Sequence, residues 1–288
     1  MSPAVPLALL SMLGFGTAFV LTQFGLRWMP PWLGAAFSIP TSTLLFWLLA
    51  PRSLDLAHAD IGAAILFACV GVFFPAAVTL LNFESNRLMG PTVSGAVSGM
   101  APLFAVLLAM ILLGEMLRPA QAFGIAAIVG GVMLMSRGEP GESRRWPRWM
   151  LILPLAAAAI RGAVQPIIKV ALARWPDPIA AVVLGYTVSA VVLIMAARVR
   201  SGATPAKIDR RGVLWFAAVG VCNGLAVLSL YAALGRGSVA LVSPIVASYP
   251  LVTLLLSRAV LKHERIGGEL MTGVCVTVAG VVLLIATR

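Results

Sequence analysis

One stretch of the sequence occurs twice, and this repeat limits the fold more than any single residue does. The first copy covers residues 90–118, and the second, in altered form, covers residues 237–265. Each copy opens with glycine and small residues, reaches a proline, continues as an apolar run and stops at a glutamate; another long apolar run follows. The pattern predicts one structural unit used twice.

The composition places most of the chain in lipid. Hydrophobic residues make up 60% of the sequence, charged residues only 11%, and the mean hydropathy is +1.01. No soluble domain buries that much apolar surface. The formal charge of +11 comes from basic residues in short loops between apolar runs, which fits anionic lipid headgroups and not nucleic acid. The cysteines have neither disulfide nor metal-site spacing, so no cofactor is predicted.

Ten membrane-spanning helices are predicted, because a span needs about 20 mainly apolar residues. The segments are 6–26, 32–50, 61–83, 91–113, 120–135, 149–171, 179–197, 213–234, 239–261 and 268–286. The polar stretch 138–148 is a linker between two five-helix repeats, 1–137 and 149–288.

Five helices in each half have a topological consequence. Homologous halves with an odd number of helices enter the membrane in opposite directions, so we predict an all-α integral membrane protein built as two inverted repeats. Its substrate site is expected near the midplane, between the halves. Both termini then lie on one side. The two basic connections, 137–148 and 198–212, lie on the other side, and the positive-inside rule alone would put the termini outside.

The paired proline-to-glutamate segments resemble the drug/metabolite transporter superfamily, specifically its ten-helix EamA-type members and, among these, bacterial amino-acid and metabolite exporters. The matching segments are 101–115 (APLFAVLLAMILLGE), 248–264 (SYPLVTLLLSRAVLKHE) and the glycine-rich fifth and tenth spans. The resemblance covers the whole chain, but its motif is shared by transporters of unrelated molecules. It implies an inner-membrane protein with cytoplasmic termini, and we adopt that orientation against the charge count.

The chain departs from the usual pattern of that superfamily at three places. Phe15-Gly16 and Arg161-Gly162 stand where Trp-Gly is common in the first and sixth helices. Lys262-His263-Glu264 stands where Leu-Gly-Glu is usual.

The best candidate for substrate binding is a basic and amide stripe on the sixth span. Arg161, Gln165 and Lys169 follow one another at intervals of four residues and therefore share one helix face. An arginine facing a central cavity suits a substrate carboxylate, which accepts a forked pair of hydrogen bonds. The alternatives are that Arg161 satisfies carbonyl groups at a kink and that Lys169 reaches the interface.

Other candidates offer an amide, a hydroxyl or a ring. Asn82, Tyr231 and Tyr249 are predicted to bind substrate, and Tyr186 and Asn223 are candidates of the same kind. Contacts between helices and interface aromatics are the alternative roles.

Helix-breaking residues in and beside the first copy of the repeat, and one in the second copy, are candidate hinges for alternating access. They are Gly90, Gly99, Pro102 and Pro250. A static bend is the alternative for the prolines.

Energy coupling is predicted from where the acidic residues fall. They lie in loops or near helix ends, as do both histidines, whereas proton-driven pumps usually keep a carboxylate or histidine at depth. We therefore predict facilitated diffusion or exchange without obligatory proton coupling, with Glu84 and Glu269 as the exceptions to test. Glu115 and Glu264 are expected to be structural, pairing with Arg118 or Lys262.

The leading prediction is a monomeric transporter of small polar metabolites, with amino acids first. A proton-coupled exporter of drugs or other metabolites is the second transport hypothesis. A membrane-embedded enzyme would need an acid–base or metal cluster, or a phosphate loop, and the sequence offers none. A scaffold has no need of inverted repeats.

Overall fold

The computed structural model describes residues 3–137, 147–203, 208–261 and 268–286, and these ranges contain helices and no strands. In chain order the helices are α1 (Ala4–Leu26), α2 (Pro31–Ser53), α3 (Ile61–Gly71), a π-helical segment (Val72–Ala77), α4 (Val78–Ser98), α5 (Ala101–Leu113), α6 (Pro119–Arg137), a 3₁₀ turn (Arg148–Leu151), α7 (Ile152–Arg174), α8 (Pro178–Ala203), α9 (Arg210–Leu234), α10 (Val239–Ala247), α11 (Tyr249–Leu261) and α12 (Gly268–Ala286).

The helices are those of a membrane protein. Within the described residues, seven helical stretches are long and apolar enough to cross a bilayer: Ala4–Leu26, Pro31–Ser53, Ile61–Gly90, Trp149–Arg174, Pro178–Val199, Arg210–Leu234 and Val239–Val260. Two further apolar helical stretches, Ala101–Leu113 and Pro119–Gly131, are shorter. The all-helical class is therefore confirmed, and the count of ten spans stays a prediction.

The predicted fourth and ninth spans are each divided into two helices. The break between α4 and α5 follows Gly99, and the break between α10 and α11 lies at Ser248. Pro102 and Pro250 each lie in the first turn of the helix that follows the break. A proline is tolerated there because its missing N–H would have no partner inside the helix. The repeat in the sequence is thus accompanied by a repeated break in the backbone.

Two further kinks shape the third membrane-crossing stretch. Phe74 has extended backbone angles (φ −131°, ψ 122°) inside the π-helical segment, next to Pro75. Gly90 has a φ of 81° inside α4, in the left-handed region that favours glycine. The kink at Phe74 leaves both Phe74 and Pro75 on the wall of the central cavity.

Close helix crossings at two glycines join the halves at the broken helices. A Cβ atom on Gly16 would lie 2.9 Å from the Tyr249 carbonyl oxygen, and one on Gly162 would lie 2.5 Å from the Ala101 carbonyl oxygen. Helix α1 therefore crosses the start of α11 as closely as α7 crosses the start of α5. Only glycine allows such an approach, which is a common device in membrane helix packing.

Helices α6 and α12 form a pair at the edge of the bundle. A Cβ atom on Gly131 would lie 2.7 Å from the Gly273 carbonyl oxygen, and one on Gly280 would lie 2.8 Å from the Gly124 carbonyl oxygen. Gly131, late in α6, thus meets Gly273, early in α12. Gly124, early in α6, meets Gly280, late in α12. The two helices are antiparallel and pack through small residues.

The bundle has two ends, which we call the terminal end and the linker end. At the terminal end α1 begins beside Gly237, where a Cβ atom would lie 2.7 Å from Cβ of Ala4. At the linker end α1 finishes beside Phe216, near the start of α9. These two names are used below for the two ends of the central cavity.

Two loops at the terminal end are hydrogen-bonded to each other. The Trp175 indole N–H donates to the Asp55 carbonyl oxygen (2.8 Å), and the Asp55 backbone N–H donates to the Asp177 carboxylate (2.8 Å). The carboxylate of Asp55 lies 2.8 Å from His58 Nδ1, and this hydrogen bond, with one from a backbone N–H, lowers the pKa of Asp55. The connections α2–α3 and α7–α8 are thereby held together.

Candidate functional site

A narrow cavity lies among α1, the π-helical segment, α4, α7, α8 and α9. Its wall is aromatic and aliphatic, with several amides and hydroxyls. Among the described lining residues, Arg161 is the one charged residue. The lining residues are Phe15, Ala18, Phe19, Thr22, Phe74, Pro75, Val78, Thr79, Asn82, Phe83, Asn86, Arg161, Tyr186, Asn223 and Val227. An apolar cavity with a few convergent polar groups is the usual form of a small-molecule site.

Arg161 lies near the middle of α7 and is only 6% exposed. Within the described structure, its Nε and Nη1 have no hydrogen-bond partner and it forms no ion pair. Its Cζ lies 4.9 Å from the centre of the Phe15 ring and 5.6 Å from that of Tyr249, so two aromatic rings take the place of a carboxylate. The guanidinium thus presents unused N–H donors on two of its nitrogen atoms, Nε and Nη1, at the cavity wall.

The ring of Tyr249 contacts the Arg161 guanidinium, and its hydroxyl points to another helix. Its hydroxyl donates to the Gly95 carbonyl oxygen (3.1 Å), which ties α11 to α4. The ring stacks on Phe19 with centroids 5.1 Å apart and meets Phe15 at 6.2 Å. These rings fix the position of the guanidinium.

Gln165 lies one turn after Arg161 and is 2% exposed. Its Nε2 donates weakly to the Arg161 carbonyl oxygen (3.4 Å), and its Oε1 has no partner among the described residues. A buried amide oxygen without a partner is costly, so this atom is a free acceptor one turn from Arg161, although Gln165 is not among the residues that line the cavity.

The amide groups on the cavity wall belong to α4 and α9. Asn82 accepts a hydrogen bond from the Ser98 hydroxyl (3.0 Å). Asn86 donates to the Phe19 carbonyl oxygen (3.2 Å) and accepts from the Gln23 side chain, which joins α4 to α1 toward the linker end. Asn223 projects from α9, on another side of the cavity.

A cluster that we call the clasp lies toward the terminal end. Lys169 Nζ donates to the Glu115 carboxylate (2.7 Å) and to the Gly237 carbonyl oxygen (2.8 Å). The same carboxylate accepts from the backbone N–H groups of Val239 (3.1 Å) and Ala240 (3.2 Å). Glu115, which follows α5, therefore caps the start of α10, where an anion is favoured, and joins it to α7.

The clasp changes the predicted pairing of Glu115. The sequence suggested Arg118 or Lys262 as its partner, whereas the structure pairs it with Lys169. Lys169 is engaged there and does not line the cavity. Helix periodicity placed Lys169 on the stripe of Arg161, but it could not show that Glu115 approaches from another helix.

The remaining predicted residues take different positions. Asn82 lines the cavity with Arg161, whereas Tyr231 is buried behind Phe74, with ring centroids 6.5 Å apart. Glu84 lies on an exposed flank and pairs with Arg87. Lys262, His263 and Glu264 fall outside the described residues, and the side chain of Glu269 is likewise not described.

Sequence reasoning missed Asn86 and underrated Tyr186. Asn86 follows Asn82 by four residues and so shares its helix face, a signal that the sequence contained. Tyr186 lines the cavity, and its buried hydroxyl has no partner in the described part of the chain.

The sequence also matches a family model, that of the EamA-like transporter family, over residues 2–137 and 148–286. The chain belongs to the EamA-like transporter family. The resemblance seen in the repeated segments is thereby confirmed. This family consists of transporters, so the protein is a multi-pass membrane transporter of small solutes.

A solved crystal structure has the same fold as this EamA-like transporter. It superposes with a TM-score of 0.78 at 19% sequence identity, covering 99% of this chain and 96% of that chain. At this identity the likeness bears on the fold alone. Among curated proteins, none matches the sequence.

Proposed function

We propose that this transporter carries small polar metabolites that contain a carboxylate, with amino acids as the first class to test. The observation that carries the proposal is Arg161: a buried guanidinium at a cavity wall with unused N–H donors on two of its nitrogen atoms. Burying a charge without a partner is expensive in a membrane protein, and such residues mark substrate pathways. A carboxylate supplies both the charge and the paired acceptors that a guanidinium needs.

The rest of the cavity suits the other parts of a small metabolite. The Asn223 side chain on the cavity wall offers an uncharged acceptor for an ammonium or hydroxyl group, and Gln165, one turn from Arg161 and outside that wall, is the proposed second acceptor. The Phe74 and Phe83 rings give an apolar surface for a side chain. Asn82 is proposed to orient the bound molecule, and Tyr249 to position Arg161. Tyr231 and Lys169 lie outside the cavity wall and would contact substrate only in another conformation.

Alternating access between two inverted five-helix repeats is the proposed mechanism. Three observations support it: the paired broken helices, the paired glycine crossings at Gly16 and Gly162, and the antiparallel contact of α6 with α12. Discontinuous helices at the interface of two repeats are typical of secondary transporters. Gly90, Gly99, Pro102 and Pro250 lie at or beside the backbone breaks and are the proposed hinges.

The proposed transport does not require coupling to a proton gradient. In the described structure no carboxylate or histidine lines the cavity, and Glu115 and Glu84 are paired with Lys169 and Arg87. The second candidate is a proton-coupled exporter of drugs. Arg161 disfavours cationic drugs, because a like charge would be buried beside it.

A monomer in the inner membrane, with both termini in the cytoplasm, is the proposed setting. The count of basic residues in the loops favours the opposite orientation, so the two arguments conflict. A reporter enzyme that is active only outside the cytoplasm, fused to the C-terminus, should be inactive. Activity would reverse the orientation.

Uptake by liposomes that contain the purified protein tests the function. Labelled amino acids would be supplied with and without a pH gradient and with and without unlabelled substrate inside. We expect saturable uptake that internal substrate accelerates and that the gradient leaves unchanged. Uptake that follows the pH gradient would refute the proposal that transport is not coupled to protons. Failure of every carboxylate tested, amino acids included, would refute the function itself.

A further inference from the structure

The charge balance of the cavity distinguishes among carboxylates. The lining residues that the structure describes supply one positive charge, that of Arg161, and no negative charge. Phe15 and Tyr249 stabilise the positive charge by their ring faces but do not cancel it. A bound molecule with one negative charge makes the site neutral.

A second ionised group on the bound molecule would find poor compensation. The Asn82 oxygen already accepts from Ser98, and the Asn86 oxygen already accepts from Gln23. The remaining amide acceptors, Asn223 on the wall and Gln165 Oε1 beside Arg161, are uncharged and offset only part of an ammonium charge. An ammonium group that loses its water without gaining a carboxylate partner is strongly disfavoured.

We infer that the cavity prefers monocarboxylate anions, whose carboxylate is their only ionised group, over amino acids of the same skeleton. The fitting class is a 2-hydroxy or 2-oxo acid with an apolar body against the aromatic wall. A dicarboxylate is disfavoured as well, since the described wall holds no second cation. This refinement rests on the proposed function, because it assumes that Arg161 binds the substrate carboxylate.

Matched compounds separate the charge of the ligand from its shape. The full-length protein in lipid nanodiscs would be titrated with phenyllactate, phenylalanine and phenethylamine, and with 2-hydroxy-4-methylpentanoate, leucine and 3-methylbutylamine. Phenylsuccinate serves as the dicarboxylate. Binding is read from the rise in the midpoint of thermal unfolding, since only a ligand of the native state raises it. Each hydroxy acid should bind at least about tenfold more tightly than its amino acid, and the amines should not bind.

Three variants show whether Arg161 causes the preference. Arg161→Lys keeps a positive charge and should keep the order of affinities at lower overall affinity. Arg161→Met should bind neither acid. Arg87→Gln removes a charge from an exposed position outside the cavity and should leave the order unchanged.

The possible outcomes distinguish a failure of the proposed preference from a failure of the proposed carboxylate transport. Amino acids that bind as tightly as their hydroxy acids, or more tightly, would overturn the preference and leave carboxylate transport standing. Tight binding of phenylsuccinate would overturn the preference too. Failure of every acid to bind the unmodified protein, together with no uptake of any of them by liposomes, would overturn both.

Discussion

At the scale of single residues, Arg161 combines a cost in stability with a use in binding. Its unpaired nitrogen atoms, Nε and Nη1, are buried in a bundle of apolar helices, where an unsatisfied polar group costs about 1–3 kcal/mol or more. Contacts with Phe15 and Tyr249 offset part of that cost, at roughly 1–2 kcal/mol each when buried. A residue kept at such a cost is typical of a functional site.

Replacing Arg161 by Met should therefore leave the midpoint of thermal unfolding unchanged or raise it, while abolishing stabilisation by any carboxylate. The matched change Lys169→Met breaks the ion pair of the clasp and should lower the midpoint. Thermal unfolding in nanodiscs measures both. A larger loss of stability in Arg161→Met than in Lys169→Met would contradict this view of Arg161.

Two substitutions at Tyr249 separate its hydroxyl from its ring. Tyr249→Phe loses the hydrogen bond to Gly95 and should cost about 1 kcal/mol of stability with substrate affinity preserved. Tyr249→Leu removes the ring from the guanidinium and should weaken substrate binding roughly tenfold. Equal affinities for the two variants, measured by the same ligand titration, would exclude a positioning role for the ring.

The sequence could predict part of this site, and for a physical reason. A charge or an amide inside an apolar run stands out, so Arg161, Gln165 and Asn82 could be named as site candidates from the sequence alone. Tyr186 and Tyr231 could not be distinguished in this way, because helix periodicity does not show which helix face meets the cavity. Tyr186 lines the wall, whereas Tyr231 is buried behind Phe74.

At the scale of helices, the clasp is the main polar connection that the structure adds. Glu115 and Lys169 join the end of α5, the last third of α7 and the start of α10, all toward the terminal end. A passage that opens at this end must separate these helices. The sequence predicted bends at Pro102 and Pro250, but an apolar run cannot distinguish a bend at a proline from a helix that starts there.

Glu115→Gln should loosen the terminal end, because a neutral amide holds Lys169 and the start of α10 less strongly. The readout is the reaction of Val239→Cys, at a fully buried position, with a membrane-impermeant thiol reagent in a variant whose native cysteines are alanine. Labelling should increase in Glu115→Gln and stay unchanged in Glu84→Gln. Equal labelling with and without Glu115→Gln would refute the clasp as a closure.

The α6–α12 pair provides a test of packing with its own control. A Cβ atom on Gly131 would clash with the Thr277 hydroxyl, whereas a Cβ atom on Gly130 would meet nothing within 4 Å among the described residues. Gly131→Leu should destabilise the protein by about 1–3 kcal/mol, and Gly130→Leu should have little effect. Similar midpoints of thermal unfolding for the two variants would contradict the close crossing.

At the scale of the whole molecule, the cavity is held at both ends. The Gln23–Asn86 contact joins α1 to α4 toward the linker end, and the clasp joins three helices toward the terminal end. An empty cavity encloses an unpaired guanidinium, whereas a cavity loaded with the proposed carboxylate would enclose a neutral pair. Closing the cavity should therefore be easier with substrate bound, and exchange should be faster than net transport.

Efflux from preloaded liposomes measures this difference. Adding unlabelled substrate outside should accelerate efflux of labelled substrate at least about tenfold, which corresponds to 1.4 kcal/mol in the barrier for return. An efflux rate that external substrate leaves unchanged would show that the empty transporter returns as readily as the loaded one.

The isolated charge of Arg161 also has an electrical consequence. Under the proposed alternating access, a cavity with a monoanion bound would carry no net charge, and an empty cavity would carry one positive charge within the membrane field. Moving one elementary charge through the whole field is worth about 2.3 kcal/mol per 100 mV. The membrane potential therefore acts on the return of the empty protein and leaves the crossing of its cargo almost untouched.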